Sequence, residues 1–196
     1  MPNREELKEL KKYEIHLCAL ELFGKIGYYK TSIEDIANNS KVSKGLIYHY
    51  YSSKEKLFEE VILDSFETIL NYFPKNKGEE FNDQSMSYFI NSEILISLKK
   101  NKTYWKLLIS LLSEQKLHRI ALKHLSKSTA YKEYENVLTN YFLLKGYIKP
   151  EIEVKLFTAS LVGICLQVII NPTDFPAKTL LKQFTNRVLS INNKLL

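Results

Sequence analysis

The side chains that could do chemistry are thinly spread in this chain. It has two cysteines and four histidines. Cys18 and Cys165 each sit inside an apolar run, which predicts buried free thiols in a reducing compartment. His118 and His124 are six residues apart, on different faces of a helix. With His16 they make no metal-ligand spacing, so surface or hydrogen-bonded histidines are expected, and no metal. No Ser/His/Asp set, paired carboxylates or phosphate loop stands out, so neither catalysis nor a cofactor is expected. One short stretch is different. Ser43, Lys44, Gly45, Leu46, Tyr48 and His49 fall together and form a small, polar, cationic group of the kind that hydrogen-bonds base edges and phosphates.

Such a group works only if a helix presents it. Upstream, Ile15, Cys18, Ala19, Leu22, Phe23 and Ile26 form a helical stripe that Gly27 stops. Thr31-Ser32-Ile33-Glu34 reads as a capping box opening a short helix that ends near Asn39. A turn over residues 40–42 leads to a third helix at about 43–50. Ser52-Ser53-Lys54-Glu55 reads as a second box, opening a long fourth helix that runs to near Tyr72. Ile36, Ala37, Val42, Ile47 and Tyr50 have the apolar spacing of a helix-turn-helix, with Ala37 where the two helices cross most closely. Tyr50 is then core and Tyr51 packs under the fourth helix. The remaining face of the third helix is the cationic one, as a helix entering the major groove requires.

Residues 15–62, with ALELFGKIGYYKTSIEDIANNSKVSKGLIYHYYSSKEKLFEEVI at their centre, closely resemble the first four helices of the TetR family. The resemblance implies that Thr31, Ser43, Tyr48 and Lys54 grip phosphates, with Lys44, Gly45 and His49 near base edges. The free amides at helix N-termini fit that role for Thr31 and Ser43. Two positions depart from the family pattern. Lys41 replaces the usual turn glycine, at a strain of order 1 kcal/mol if it is left-handed. Leu46 replaces a common threonine; it either meets a thymine methyl or packs inward.

Glycine and proline, six and five in number, separate helix-period stretches and mark no strands. Helices are predicted at about 83–100, 103–115, 118–145 with a break near 126–130, 151–170 and 177–193, with Pro150 at a helix start after the Gly146 stop. The fold class is therefore all-α: an N-terminal three-helix helix-turn-helix DNA-binding domain over residues 1–53, then a helical-bundle ligand-binding and dimerisation domain over 54–196. The resemblance implies an inducer cavity in the bundle, for which Trp105, Tyr134, Tyr141 and Gln167 are candidates. Glu93, polar in an apolar neighbourhood, is either solvent-exposed or a pocket anchor. The last two helices are apolar on more than one face and must be covered on both sides. A second copy is the simplest cover, with Phe157, Leu161, Cys165, Val168, Leu181, Phe184 and Val188 as the expected dimer interface.

The net charge of +6 is spread evenly: residues 1–56 hold 10 Lys/Arg against 8 Asp/Glu, a net +2 that leaves +4 for the rest. Charge alone therefore does not point to DNA. A charged N-terminus argues against a secretory signal, and the run from Leu161 to Ile170 is too short to span a bilayer. The expected setting is the cytoplasm, with no membrane partner. The expected partners are double-stranded operator DNA, a second copy of the chain and an apolar or amphipathic small-molecule effector. The rival reading is an effector-independent DNA-binding protein of the same fold.

Overall fold

The computed structural model describes residues 3–75, 80–111, 115–173 and 176–190. Its helices, in chain order, are α1 (Arg4–Ile26), α2 (Ile33–Ser40), α3 (Lys44–Tyr50), α4 (Lys54–Leu70), α5 (Asp83–Tyr88), α6 (Ile94–Lys100), α7 (Lys102–Ser110), α8 (Gln115–Leu125), α9 (Thr129–Leu144), α10 (Pro150–Ile170) and α11 (Ala177–Ser190). A π-turn, Phe89–Glu93, joins α5 to α6, so the helix predicted at 83–100 exists with one wide turn inside it. No strand occurs among the described residues, and the all-α expectation holds. The 118–145 segment breaks between α8 and α9, where Ser128 accepts from the Tyr131 amide as the α9 cap. The predicted last helix ends at Ser190, and positions 191–193 lie outside the described residues.

The chain divides into two compact units, residues 1–66 with 103–124 and residues 67–102 with 125–196. In the first, Ile15, Ala19 and Phe23 of α1 meet Ile36 and Ala37 of α2, Ile47 of α3, and Leu57, Phe58, Val61 and Ile62 of α4 in one buried core. Leu107, Leu117 and Ala121 from α7 and α8 join it, so this unit extends beyond the helices that a boundary at residue 53 sets apart. Phe23, Tyr28 and Phe58 form an aromatic cluster with centroids 4.5–5.8 Å apart. Such pairs add about 0.5–1.5 kcal/mol each beyond the area they bury. In the second unit α9 packs on α10 and α10 on α11. Its core is also aromatic: Phe157 lies 5.3–6.3 Å from Phe89, Phe142 and Phe184.

Local chemistry sets the element ends, with two shifts from the sequence reading. The α2 box is Ser32 with Asp35, one residue later than Thr31 with Glu34: the Asp35 amide donates to Ser32 Oγ at 3.0 Å and the Ser32 amide to Asp35 Oδ2 at 2.8 Å. At α4 the cap is Ser53, whose Oγ accepts from the Lys56 amide at 3.1 Å; Lys56 has no carboxylate to return the bond, so there is a cap but no box. Gly27 ends α1 with φ 88° and Gly146 follows α9 with φ 87°, both in the region that favours glycine. Lys41 is left-handed, φ 55° and ψ 41°, where its amide and that of Val42 close the end of α2 on the Asn38 and Ala37 carbonyls. Lys41→Gly should therefore raise the unfolding free energy by about 0.5–1 kcal/mol, because it removes the Cβ clash at no cost in hydrogen bonds. Urea denaturation checks this. An unchanged or lower midpoint would mean that the Lys41 side chain is itself holding the turn.

Candidate functional site

The helix-turn-helix is α2, the Lys41–Val42–Ser43 turn and α3. Ala37 and Ile47 are buried where the two helices cross, and Val42 packs half-buried against the same core. Tyr50 is half-buried on that core with its hydroxyl donating to the Lys8 carbonyl at 3.3 Å, and Tyr51 is buried beneath the Lys12 ammonium. This packing fixes which face of α3 looks out. Ser43, Lys44, Gly45, Tyr48 and His49 are exposed, and Leu46 is half-buried. The surface predicted from spacing is thus brought together on one short helix.

Each group has a definable state. Ser43 Oγ accepts from the Leu46 amide at 3.1 Å and caps α3. Lys44 Nζ lies 2.9 Å from a Glu34 carboxylate oxygen, but both side chains are about half exposed or more, and such a pair holds them weakly. The Lys44 ammonium is therefore free to exchange this partner for a phosphate or a guanine edge. Tyr48 stands 53% exposed with no apolar cover. A Cβ at Gly45 would meet nothing nearer than Ser43 Oγ at 3.8 Å, so the fold does not require glycine there. A glycine inside a helix costs roughly 0.5–1 kcal/mol, and close approach by an outside partner is the remaining physical reason for it.

Two residues expected to grip phosphates face inward instead. Thr31 is 1% exposed, and its hydroxyl donates to the Gly27 carbonyl at 2.8 Å, tying the α1–α2 loop to itself. Lys54 Nζ donates to the Tyr28 carbonyl at 2.9 Å and the Thr31 carbonyl at 2.8 Å, and sits 4.3 Å from the centre of the Tyr28 ring. Burial pulls this ammonium below the usual lysine range. It serves as a clamp on the loop before α2. Sequence reasoning missed Tyr29, which stands 59% exposed in that loop next to the clamped Tyr28. Only the run of two tyrosines after Gly27 signalled it.

The second unit contains a half-open cavity of about 1380 Å³. Of the residues expected to line it, Glu93 and Tyr141 do so. Tyr134 is fully buried and its hydroxyl is 2.6 Å from Thr158 Oγ1, which places it in the core between α9 and α10. Burial raises its phenol well above the usual range. Trp105 belongs to the first unit, and Gln167 is exposed on α10. Residues that spacing did not mark complete the lining, among them Asn71, Tyr72 and Phe73, which directly follow α4. In a separate cleft that shares Tyr141, Asp83 accepts from Tyr141 Oη at 2.8 Å and from Lys145 Nζ at 2.6 Å; the lysine holds this carboxyl below its ordinary range.

The dimer-interface expectation needs correction for four of its residues. Phe157, Leu161, Cys165 and Leu181 are each 4% exposed or less and fill the core of their own bundle. Val168, Phe184 and Val188 are half-buried. The accessible apolar groups on α10 are instead Ile152, Leu156 and Ile170, 44–58% exposed. The whole of α10, and not only its last ten residues, reaches the length and apolarity of a membrane span, with 22% of its most apolar window buried.

Residues 18–61 match the sequence family described as bacterial regulatory proteins, tetR family. The chain is 28% identical over 153 residues to the HTH-type transcriptional regulator YhgD of Bacillus subtilis, covering 67% of this chain and 77% of that one. It is 23% identical over 106 residues to IcaR of Staphylococcus epidermidis, a negative transcriptional regulator of the biofilm operon icaADBC, covering 54% of this chain and 56% of IcaR. In fold it is similar to the fatty acid degradation regulator FadR of Bacillus halodurans, with a TM-score of 0.70, 16% identity and coverage of 92% and 95%. Residues 18–61 are thus a tetR-type DNA-binding module, and the chain as a whole is similar to TetR-type transcriptional regulators. The match spans α2, α3 and the clamp, so the TetR-type module and the exposed face of α3 are the same stretch of chain.

The clamp and the readout lysine should separate in experiment. Lys54→Ala should lower the unfolding free energy by about 1–2 kcal/mol, below the full value of two charge-assisted hydrogen bonds because the ammonium is only partly buried. Lys44→Ala should change it by less than about 0.5 kcal/mol. Urea denaturation of both variants checks this, and equal effects would show that the Lys54 contacts hold nothing together.

Proposed function

We propose that the protein is a cytoplasmic repressor that binds an inverted-repeat operator as a homodimer and is released by a small molecule taken into the cavity of its second unit. The observation that carries this reading is the continuity of α4. The helix is separated from α3 by three residues, runs unbroken to Leu70, and passes directly into Asn71, Tyr72 and Phe73 on the cavity wall. A ligand that moves this wall pulls on the helix that follows the recognition helix. The duplex fixes the spacing of two recognition helices at roughly 34 Å, so a shift of a few ångströms forfeits contacts on one half-site. A hundredfold loss of operator affinity needs about 2.8 kcal/mol of differential binding, within the usual range of allosteric coupling. The cavity favours this over the effector-independent reading, which gives it no use. The relative IcaR, a negative regulator, supports repression as the output.

DNA is read by Ser43, Lys44, Gly45, Leu46, Tyr48 and His49, with Ser43 and Tyr48 on phosphates. The second copy of the chain covers α10. Its exposed apolar residues Ile152 and Leu156 continue toward Gly163, where an added Cβ would meet nothing within 4 Å in the protomer. A glycine in mid-helix with no neighbour in its own chain fits a close crossing with a partner helix. Burying this apolar face contributes about 25 cal/mol per Å², and the half-buried Val168, Phe184 and Val188 are secondary candidates for the contact.

Selection of bound fragments from genomic DNA should recover an inverted repeat. On that site Lys44→Ala should cost about 1–3 kcal/mol, with a much smaller effect on unrelated DNA. Leu156→Glu should give monomers in sedimentation, because it places a charge in an apolar interface. A dimer that survives this change would put the interface elsewhere, and a direct-repeat or single half-site would overturn the two-fold reading.

A further inference from the structure

The cavity sorts its charges by depth. Its described lining has three carboxylates, Glu80, Glu93 and Glu133, and two ammonium groups, Lys75 and Lys132. Both lysines are exposed, and Lys75 is tied to the Asn71 side chain at 2.9 Å. Glu80 is exposed as well, while Glu93 and Glu133 are half-buried. The two least exposed charges of the described lining are therefore both acidic, in a protein whose net charge is +6. Aromatic groups surround the acids: Phe89 and Tyr141 are buried, Phe73 is half-buried, and Phe73 packs against Phe89 at 5.3 Å.

Glu93 is the best placed of the three acids. It closes the π-turn that Phe89 opens, so carboxylate and ring are fixed by the same wide turn. Tyr88 donates its hydroxyl to Glu93, and this bond together with the carboxylate charge raises the Tyr88 phenol above its ordinary range. One phenol leaves most of the lone pairs of a carboxylate unused. Lys145, which lies outside this lining, is already paired with Asp83 at 2.6 Å. A half-buried carboxylate among aromatic faces matches a positive charge carried on an apolar body, because the rings attract the cation through their faces while the carboxylate supplies the countercharge.

We infer that the cavity takes an organic cation with an apolar body, held by Glu93 and by the rings of Phe73 and Phe89. This rests on the reading of the cavity as the effector site and names the effector's class. Anionic amphipaths would meet the Glu93 charge and bind less well.

Tetraphenylphosphonium and tetraphenylborate have the same four-phenyl body and opposite charge, so calorimetry of the full chain with each, without DNA, isolates the sign of charge preferred. The phosphonium should bind at least tenfold more tightly. Glu93→Gln should weaken it about tenfold and leave the borate unchanged or stronger, with thermal unfolding confirming that the variant folds. Equal or tighter borate binding, no binding of either probe, or an unaltered phosphonium affinity in Glu93→Gln would each overturn the inference. The effector reading is tested separately on operator DNA. Phosphonium binding that leaves operator affinity unchanged would refute release and leave the ligand class standing. Release by an anionic acyl compound, with no phosphonium binding, would keep release and overturn the class.

Discussion

The DNA-binding half of this protein depends on where one ammonium group sits. Lys54 is the first residue of α4, and its Nζ holds two carbonyls of the loop between α1 and α2. Those carbonyls belong to no helix, and without a partner each would have to stay wet or pay a desolvation penalty. By satisfying both, Lys54 joins the start of α4 to the entrance of α2. The α2–turn–α3 segment is thus held at both ends, by the clamp before it and by the short Tyr51–Ser53 link after it. Thr31 strengthens the same loop from inside by donating to Gly27. A helix-turn-helix of 8- and 7-residue helices has little core of its own. Its geometry comes from the α1 and α4 side chains beneath it, Ile15, Phe23, Phe58 and Ile62 among them.

The same constraint bears on the signalling role proposed for α4. The helix is anchored by a charged contact at its first residue and is followed directly in the chain by residues of the cavity lining. Ser65 shows how tightly the middle is packed: fully buried, its hydroxyl returns to the Val61 carbonyl at 2.6 Å, so this buried polar group is satisfied within the helix. Rigid packing of this kind transmits small displacements and does not absorb them.

The helices, the turn and the outward face of α3 were legible in the sequence because period, caps and stop residues are local. Even there the caps slipped by one place. Thr31 and Ser32 are both good caps, and the choice between them was made by burial: Thr31 turns inward to Gly27, leaving Ser32 to pair with Asp35. Lys54 was legible as a cation at a helix start, but its partners lie 23 and 26 residues away, and spacing along the chain cannot show that the loop carbonyls come to it. The cavity residues failed for the same reason. Tyr134 and Tyr141 are seven apart and share a face of α9 by period, yet Thr158 on α10 takes the first into the core while the second reaches the cavity. On α10 and α11 the sequence showed apolar faces without showing which was inward. Phe157, Leu161, Cys165 and Leu181 proved to be the inward set because α9 and α11 cover α10, while α10 and the π-turn cover α11.

Glycine separates what the fold needs from what a partner needs, and here it points outward twice. At Gly24 an added Cβ would come within 3.3 Å of the Thr103 carbonyl oxygen, so the close packing of α1 on α7 accounts for that residue inside one protomer. Gly27 and Gly146 are accounted for by their positive φ. Gly45 and Gly163 have neither reason: both lie within helices, without positive φ, and a Cβ would meet only an ordinary 3.8 Å contact with Ser43 Oγ at the first and nothing within 4 Å at the second. Each lowers helix stability by roughly 0.5–1 kcal/mol relative to alanine with no return within the chain. The return has to come from a surface that approaches the backbone closely. Gly45 sits on the exposed face of α3 among Lys44, Tyr48 and His49, where the proposed partner is DNA. Gly163 sits on the apolar helix α10, where the proposed partner is a second copy of the chain. The two proposed contacts differ in kind: one polar and charged, the other apolar.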